Sequence, residues 1–171
     1  GVSVAEQMLA MFGASEKGAI LDLRTTSGQF QDTAATSPIT ATNQLIARVN
    51  DASPNAANAT QATVGDRPRY FPFDNSRNGA FYQRTGDALT VTLAAGTYYT
   101  AIATPNGAYT KAEFLTAVVP GGGAYTLPQS TCSALVILDR DFTAAEKLTI
   151  RAWFNSTPVI TTPADRSIVT V

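Results

Sequence analysis

Apolar positions recur along this chain with two periods, and the helical one comes first. In "SVAEQMLAMF" at 3–12 the apolar residues Val4, Met8, Leu9, Met11 and Phe12 make a short amphipathic helix. Ser3 is placed to cap it, Glu6 to complete a capping box, and Gly13 to end it. "GAILDL" at 18–23 predicts a short strand, and 24–42 is a long polar segment punctuated by Gly28 and Pro38. "NQLIARV" at 43–49 reads as a strand or a short helical turn.

Residues 50–66 predict a long loop of Ala, Asn and Thr, too poor in large apolar groups to form a core element. Arg67-Pro68 then forces an extended entry into "RYFPF". Beyond it the period becomes two. "GAFYQR" leads to "ALTVTL", with Leu89, Val91 and Leu93 on one face and Thr90 and Thr92 on the other, and then to "GTYYTAIAT". Turns fall at Ala95-Gly96 and at Pro105-Asn106-Gly107, whose Asn-Gly pair signals a hairpin. After "EFLTAVV" and a turn at Pro120 to Gly123, the unbroken apolar run "SALVILD" predicts a central strand covered on both faces. Thr143 and Glu146 form a second capping box, opening a helix near 144–154 that turns Leu148, Ala152 and Trp153 to the sheet. The tail "STPVITTPADRSIVTV" reads as extended, either an edge strand or an arm reaching another chain.

A length of 171 residues, 44% hydrophobic, suits one domain with a substantial core. The pattern divides it into an N-terminal contact helix at 1–13, a mainly β antiparallel sandwich at 14–157 and an extended tail at 158–171. On this reading the fold does not need the two end segments. The balance of 12 basic and 13 acidic residues, with no like-charge run, gives no footprint for nucleic acid or an anionic membrane. No apolar stretch is long enough to span a bilayer and the N-terminus lacks a secretory layout, so the expectation is a soluble, unanchored chain.

The sequence contains no His, which excludes Ser-His and Cys-His nucleophile pairs and His-ligated metals. Cys132 is the single cysteine and, among small and apolar neighbours, reads as a buried side chain. Asp139 and Asp141 flank Arg140 with the spacing of a carboxylate pair, but a charge placed for the following helix is the stronger reading. Asp51, Ser53 and Asn55 begin like a calcium loop, yet Pro54 intervenes and the Gly and Glu are missing, so a structural Asx turn is expected. Asn58-Ala59-Thr60 and Asn155-Ser156-Thr157 match the glycosylation sequon. No catalytic residue, metal or cofactor is assigned. The candidates are partner contacts at Met8, Leu9, Met11, Phe12, Ile168, Val169 and Val171, and sugar-stacking aromatics at Tyr98, Tyr99 and Tyr109. For the Met-rich helix both readings stay open: a patch packed on its own domain, the commoner role of such a face, and an adaptable contact with a partner.

Two blocks of the chain resemble a recurring module of tailed-bacteriophage virion proteins. The first runs from Phe30 to Tyr70, with matches at Phe30-Gln31-Asp32, Thr36, Pro38-Ile39-Thr40-Ala41, Asp51, Ser53, Asn55, Asn58, Ala59-Thr60-Gln61-Ala62-Thr63 and Arg67-Pro68. The second is "SALVILDRDFTAAEKLTIRAWFN", a strand running into a helix. The resemblance implies a concanavalin A, jelly-roll or laminin-G-like β-sandwich, and this sequence departs from the module's pattern at 80–110, where a compact hairpin region replaces one usual strand. It further implies a structural or adaptor part of a tail, fibre, baseplate or head decoration, not an enzyme, assembled in the host bacterial cytoplasm. Its partners would be other virion proteins and copies of itself, or alternatively a host-surface glycan.

Overall fold

The computed structural model describes residues 1–71, 79–81, 86–106, 109–121, 123–128, 131–156 and 160. Helix α1 (Val4–Ala10) opens the chain, followed by β1 (Gly18–Asp22), β2 (Gln29–Phe30), β3 (Arg48–Val49), β4 (Ala59–Thr60), β5 (Arg69–Phe71) and β6 (Gly79–Phe81). Then come β7 (Thr90–Thr92), β8 (Gly96–Asn106), β9 (Tyr109–Val119), β10 (Ala124–Thr126), β11 (Thr131–Cys132), β12 (Ala134–Leu138) and α2 (Ala144–Ser156). Among the described residues they form a four-stranded sheet in the order β1-β12-β8-β9, a five-stranded sheet β10-β7-β4-β3-β2 and a three-stranded sheet β11-β6-β5. The strand pairs are antiparallel, and the fold is mainly β, consistent with a β-sandwich.

Strand β12 sits inside the four-stranded sheet with every residue buried, as its unbroken apolar run predicts. Its period of two sends Leu135 and Ile137 to one side and Ala134, Val136 and Leu138 to the other. On the first side they meet Leu21, Tyr98 and Ile102 from the same sheet and Val49, Ala59 and Val91 from the five-stranded one. On the second side Met8, Met11 and Phe12 of the α1 segment pack with Ile150, Trp153 and Phe154 of α2. The four-stranded sheet is therefore the middle layer, with a second sheet on one face and both helices on the other. Gly18 opens β1 at φ 134°, where a Cβ would overlap the Ile137 carbonyl, so the close approach of β1 to β12 requires glycine.

Both capping boxes form. Ser3 and Glu6 exchange bonds of 3.2 and 2.8 Å, and Thr143 and Glu146 exchange bonds of 3.1 and 2.8 Å. A hairpin forms here, β8 and β9 pairing from Gly96↔Val119 to Asn106↔Tyr109, but Pro105 and Asn106 belong to the strand rather than to the expected turn, and Gly107 lies outside the described residues. Leu89, Val91 and Leu93 are buried as the alternation predicts, while Thr92 is exposed.

Three expectations are corrected. Met8, Met11 and Phe12 are 0%, 2% and 4% exposed, so this face of the N-terminal helix is core and residues 1–13 belong to the domain. The wide apolar side of the central sheet needs a cover, and the thioether side chains fill it. In α2 the buried stripe is Ile150, Trp153 and Phe154, whereas Leu148 is 67% exposed and Ala152 is exposed. Trp153 is the largest apolar group available, and burying it rolls Leu148 to the outside. Finally, 50–66 is not all loop: Ala59 and Thr60 make β4 between β3 and β7, with Ala59 fully buried. Its small side chain suits the interior of the sandwich, and a strand of two residues leaves no periodic signal to read.

Met8→Ala is expected to lower unfolding stability by about 2–4 kcal/mol, as core truncations do, and removal of 1–13 is expected to abolish cooperative unfolding. Urea titration followed by circular dichroism checks both; a truncated chain that melts like the full one would contradict the packing of α1.

Candidate functional site

The two edges of the central sheet differ, and the difference is set by side chains. At the β1 edge Asp51 is 3% exposed and wholly engaged. Its Oδ1 accepts from the Ile20 N–H at 2.8 Å and the Ser53 N–H at 2.7 Å, and its Oδ2 from the Ser53 hydroxyl at 2.6 Å and the Ala57 N–H at 2.9 Å. Burial pushes this carboxyl up from its ordinary value, while the hydrogen bonds pull the other way. The Ala52 N–H donates to the Ile20 carbonyl at 2.8 Å, and the Asn55 amide donates to the Gly18 and Glu16 carbonyls at 3.1 and 2.9 Å. Asn58 Oδ1 in turn accepts from the Asp51 N–H at 2.9 Å. Residues 51–58 thus seal one edge of the sheet, in the role a further strand would take.

At the other edge stands β9. The Thr110 N–H donates outward to Asn155 Oδ1 of α2 at 3.1 Å. In an antiparallel strand the alternate residues share that direction, so the backbone groups of Ala112, Phe114, Thr116 and Val118 also point away from β8. No strand lies beyond them among the described residues. Leu115 and Val118 are 51% and 77% exposed on this strand, and the described sequence from 109 to 119 contains no proline.

Two arginines hold α2 beside that edge. Arg24, 6% exposed, donates from Nη1 to the Trp153 and Phe154 carbonyls at 3.0 Å each, and its guanidinium lies 4.5 Å from the Trp153 ring centroid. Its Nε meets Asp22 Oδ1 at 2.8 Å. A cation is thereby placed on the carbonyl-rich end of α2, where the helix dipole favours it. At the other end Arg140 grips Glu146 with two bonds of 2.8 Å, lies 3.9 Å from Glu16 and reaches the Met11 carbonyl at 3.4 Å. The Arg140 guanidinium and the Thr143 N–H hold the Glu146 carboxyl below its ordinary value, burial opposing them.

Between α2 and the strands opens a cleft of about 390 Å³, lined by Tyr99, Phe114, Leu115, Thr116, Asp141, Phe142 and Lys147. Phe114 meets Phe142 edge-on with centroids 5.8 Å apart, and Lys147 and Arg151 stand 5.4 and 4.8 Å from the Phe114 centroid. The cleft therefore presents an aromatic floor with charged groups at its rim.

Of the sugar-stacking candidates, Tyr99 lines this cleft, half-buried. Tyr98 does not: it is 2% exposed, faces the sandwich interior and donates its hydroxyl to the Ala94 carbonyl at 3.0 Å. Adjacent strand residues face opposite sides, so only one of the two tyrosines can look outward. The side chain of Tyr109 lies outside the described residues, as do Ile168, Val169 and Val171. Among the helix candidates Leu9 is half-buried, and Met8, Met11 and Phe12 are core. Cys132 is fully buried, and burial pushes its thiol up to about 12. Asp139 and Asp141 are both exposed, and Arg140 between them turns its guanidinium to the Glu146 carboxylate, meeting Asp141 at its backbone carbonyl at 3.0 Å. The expected Asx turn at Asp51 is present. Both sequon asparagines are engaged, Asn58 with the Asp51 N–H and Asn155 with the β9 edge.

Sequence reading missed Arg24, the Asn155 plug and the sealing role of residues 51–58. Arg24 and Trp153 are 129 positions apart, so no local pattern pairs them.

In class the chain is mainly β, with antiparallel sheets and two helices in an arrangement consistent with a β-sandwich. No family model, no curated protein and no solved structure matches it.

Arg24→Met is expected to cost about 3 kcal/mol, because Asp22 and two helix-end carbonyls lose their buried partner; guanidinium titration measures it, and a loss under a few tenths would contradict the clamp. The depressed Glu146 carboxyl gives an acid dependence. Its contribution is complete above the unfolded glutamate pKa and is lost as pH falls through the lower folded value. Thermal melts of Glu146→Gln are expected to show a flatter acid limb than the parent; parallel limbs would contradict the pairing.

Proposed function

We propose that the protein is a structural or adaptor component of a tailed-bacteriophage particle, built on a concanavalin A or laminin-G-like module and acting through protein contacts rather than catalysis. The observation that carries this reading is the use made of the residues behind the resemblance. Asp32 accepts from the Thr36 N–H at 3.0 Å, the Thr36 hydroxyl at 2.6 Å and the Ser37 N–H at 2.9 Å. Arg67 clasps the Gln61, Ala62 and Gln31 carbonyls at 2.9, 2.9 and 3.1 Å. Gln61 reaches the Ala88 carbonyl at 2.8 Å, and Asp51, Asn55 and Asn58 seal β1. The first block thus fastens loops onto the second block's neighbour in the central sheet, as the shared scaffold of a module would.

Mass spectrometry of gradient-purified particles from a bacterium expressing the chain is expected to find it at a constant ratio to the major head or tail protein. A chain confined to the soluble lysate and absent from particles would contradict the assignment.

A second reading, a glycan-binding module, is favoured by the cleft, where Tyr99 shares the lining with Phe114, Asp141 and Lys147. It predicts binding of host-surface oligosaccharide by calorimetry, weakened about tenfold by Tyr99→Ala through the lost stacking; silence at millimolar sugar removes it.

A further inference from the structure

Asn155 meets the outward N–H of Thr110 at one end of β9, and among the described residues no strand pairs with the outward groups from Ala112 to Val118. We propose that this open edge pairs with the same edge of a second copy, antiparallel about a two-fold axis, joining two four-stranded sheets into one. The inference goes beyond the particle assignment and stands without it.

Register selects the partner. An antiparallel pairing centred on Leu115 sets Ala112 opposite Val118 and Phe114 opposite Thr116, so each outward backbone group of the open edge meets one of the second copy. Leu115, 51% exposed, then faces its own counterpart on the non-hydrogen-bonded side. Charge agrees: the one ionisable residue in the open stretch, Glu113, falls opposite Ala117, whereas the register centred two residues earlier on Glu113 itself would set two carboxylates face to face. Lys111, which forms a 3.1 Å pair with Glu113, lies outside the open stretch. The plug also has a direction, since Asn155 occupies the Thr110 end and prevents a longer, shifted ladder.

The surroundings are apolar where such a contact would need them to be. The exposed large apolar side chains among the described residues are Val2, Val64, Leu115, Val118 and Leu148. Leu115 and Val118 are on the open edge itself. Leu148 lies two helical turns before Asn155, on the side of α2 that meets β9. An edge of about 23 Å, covered to a depth of about 20 Å by the strand and the exposed side of α2, buries on the order of 900 Å² over the two copies, at the weak end of specific interfaces. The expected state is therefore a reversible dimer that forms in the micromolar range and whose formation is favoured by crowding copies together.

Sedimentation velocity of the full chain over a wide concentration range tests this. The expected result is a monomer–dimer equilibrium that Thr116→Pro weakens at least about tenfold, because proline removes an outward N–H yet is tolerated at an edge. Circular dichroism of the Thr116→Pro monomer should match the parent. A register test accompanies it: under mild oxidant Leu115→Cys should give a covalent dimer, since opposed non-hydrogen-bonded positions lie within disulfide reach, and Thr116→Cys should not. Deleting 161–171 should leave the equilibrium unchanged. A chain that stays monomeric at hundreds of micromolar, a dimer indifferent to Thr116→Pro, cross-linking at 116 instead of 115, or a dimer lost with 161–171 would each overturn the proposal.

Discussion

A sheet that is buried on both faces still has two edges, and the backbone groups along them need partners. In this protein the buried carboxylate of Asp51 answers that requirement at β1, with Asn55 and the Ala52 N–H completing the seal. The neutral stretch around it has little apolar character because its task is to supply donors and acceptors in a particular order. Every residue of β12 can be apolar only because β1 lies correctly beside it, and β1 lies there because its outer side is satisfied.

The same middle layer explains the helices. The side of the central sheet away from the sandwich is built of Ile20, Ala101, Ala103, Val136 and Leu138, small and medium groups that leave room for larger ones. Met8 enters from α1 and Met11 and Phe12 from the turn that follows it, Trp153 and Phe154 from α2. Arg24 and Arg140 hold the two ends of α2 in place, one on its terminal carbonyls and one on its first-turn carboxylate. The position of α2 then decides the β9 edge, because Asn155 reaches Thr110 only from there. Sealing at β1 and partial closure at β9 are consequences of one arrangement.

Much of this was legible in the sequence wherever a local pattern suffices. Both capping boxes, the "SALVILD" centre strand and the Leu89-Val91-Leu93 face depend on neighbours within a few positions, and each formed, while the β8–β9 hairpin formed with Asn106 in the strand rather than in the turn. For the inward face of α1 the pattern left core and contact both open, since a Met-rich stripe looks the same whether it covers its own sheet or another protein. The contact of Arg24 with the buried Trp153, on its carbonyl and its ring, spans 129 positions and leaves no local signal. Of the candidate site, Tyr99 was readable as an aromatic and Tyr98 was not readable as its buried opposite, because which face of β8 meets the sandwich is decided by sheet packing.

The central claim is that the two edges of one sheet are protected unequally, and amide hydrogen exchange resolved by residue measures it most directly. In dilute solution the Ile20, Ala52 and Thr110 amides should exchange slowly, and those of Phe114, Thr116 and Val118 should exchange near the rate of exposed backbone. Uniform slow exchange along β9 at concentrations where the chain is monomeric, or rapid exchange at Ile20 and Ala52, would contradict the account.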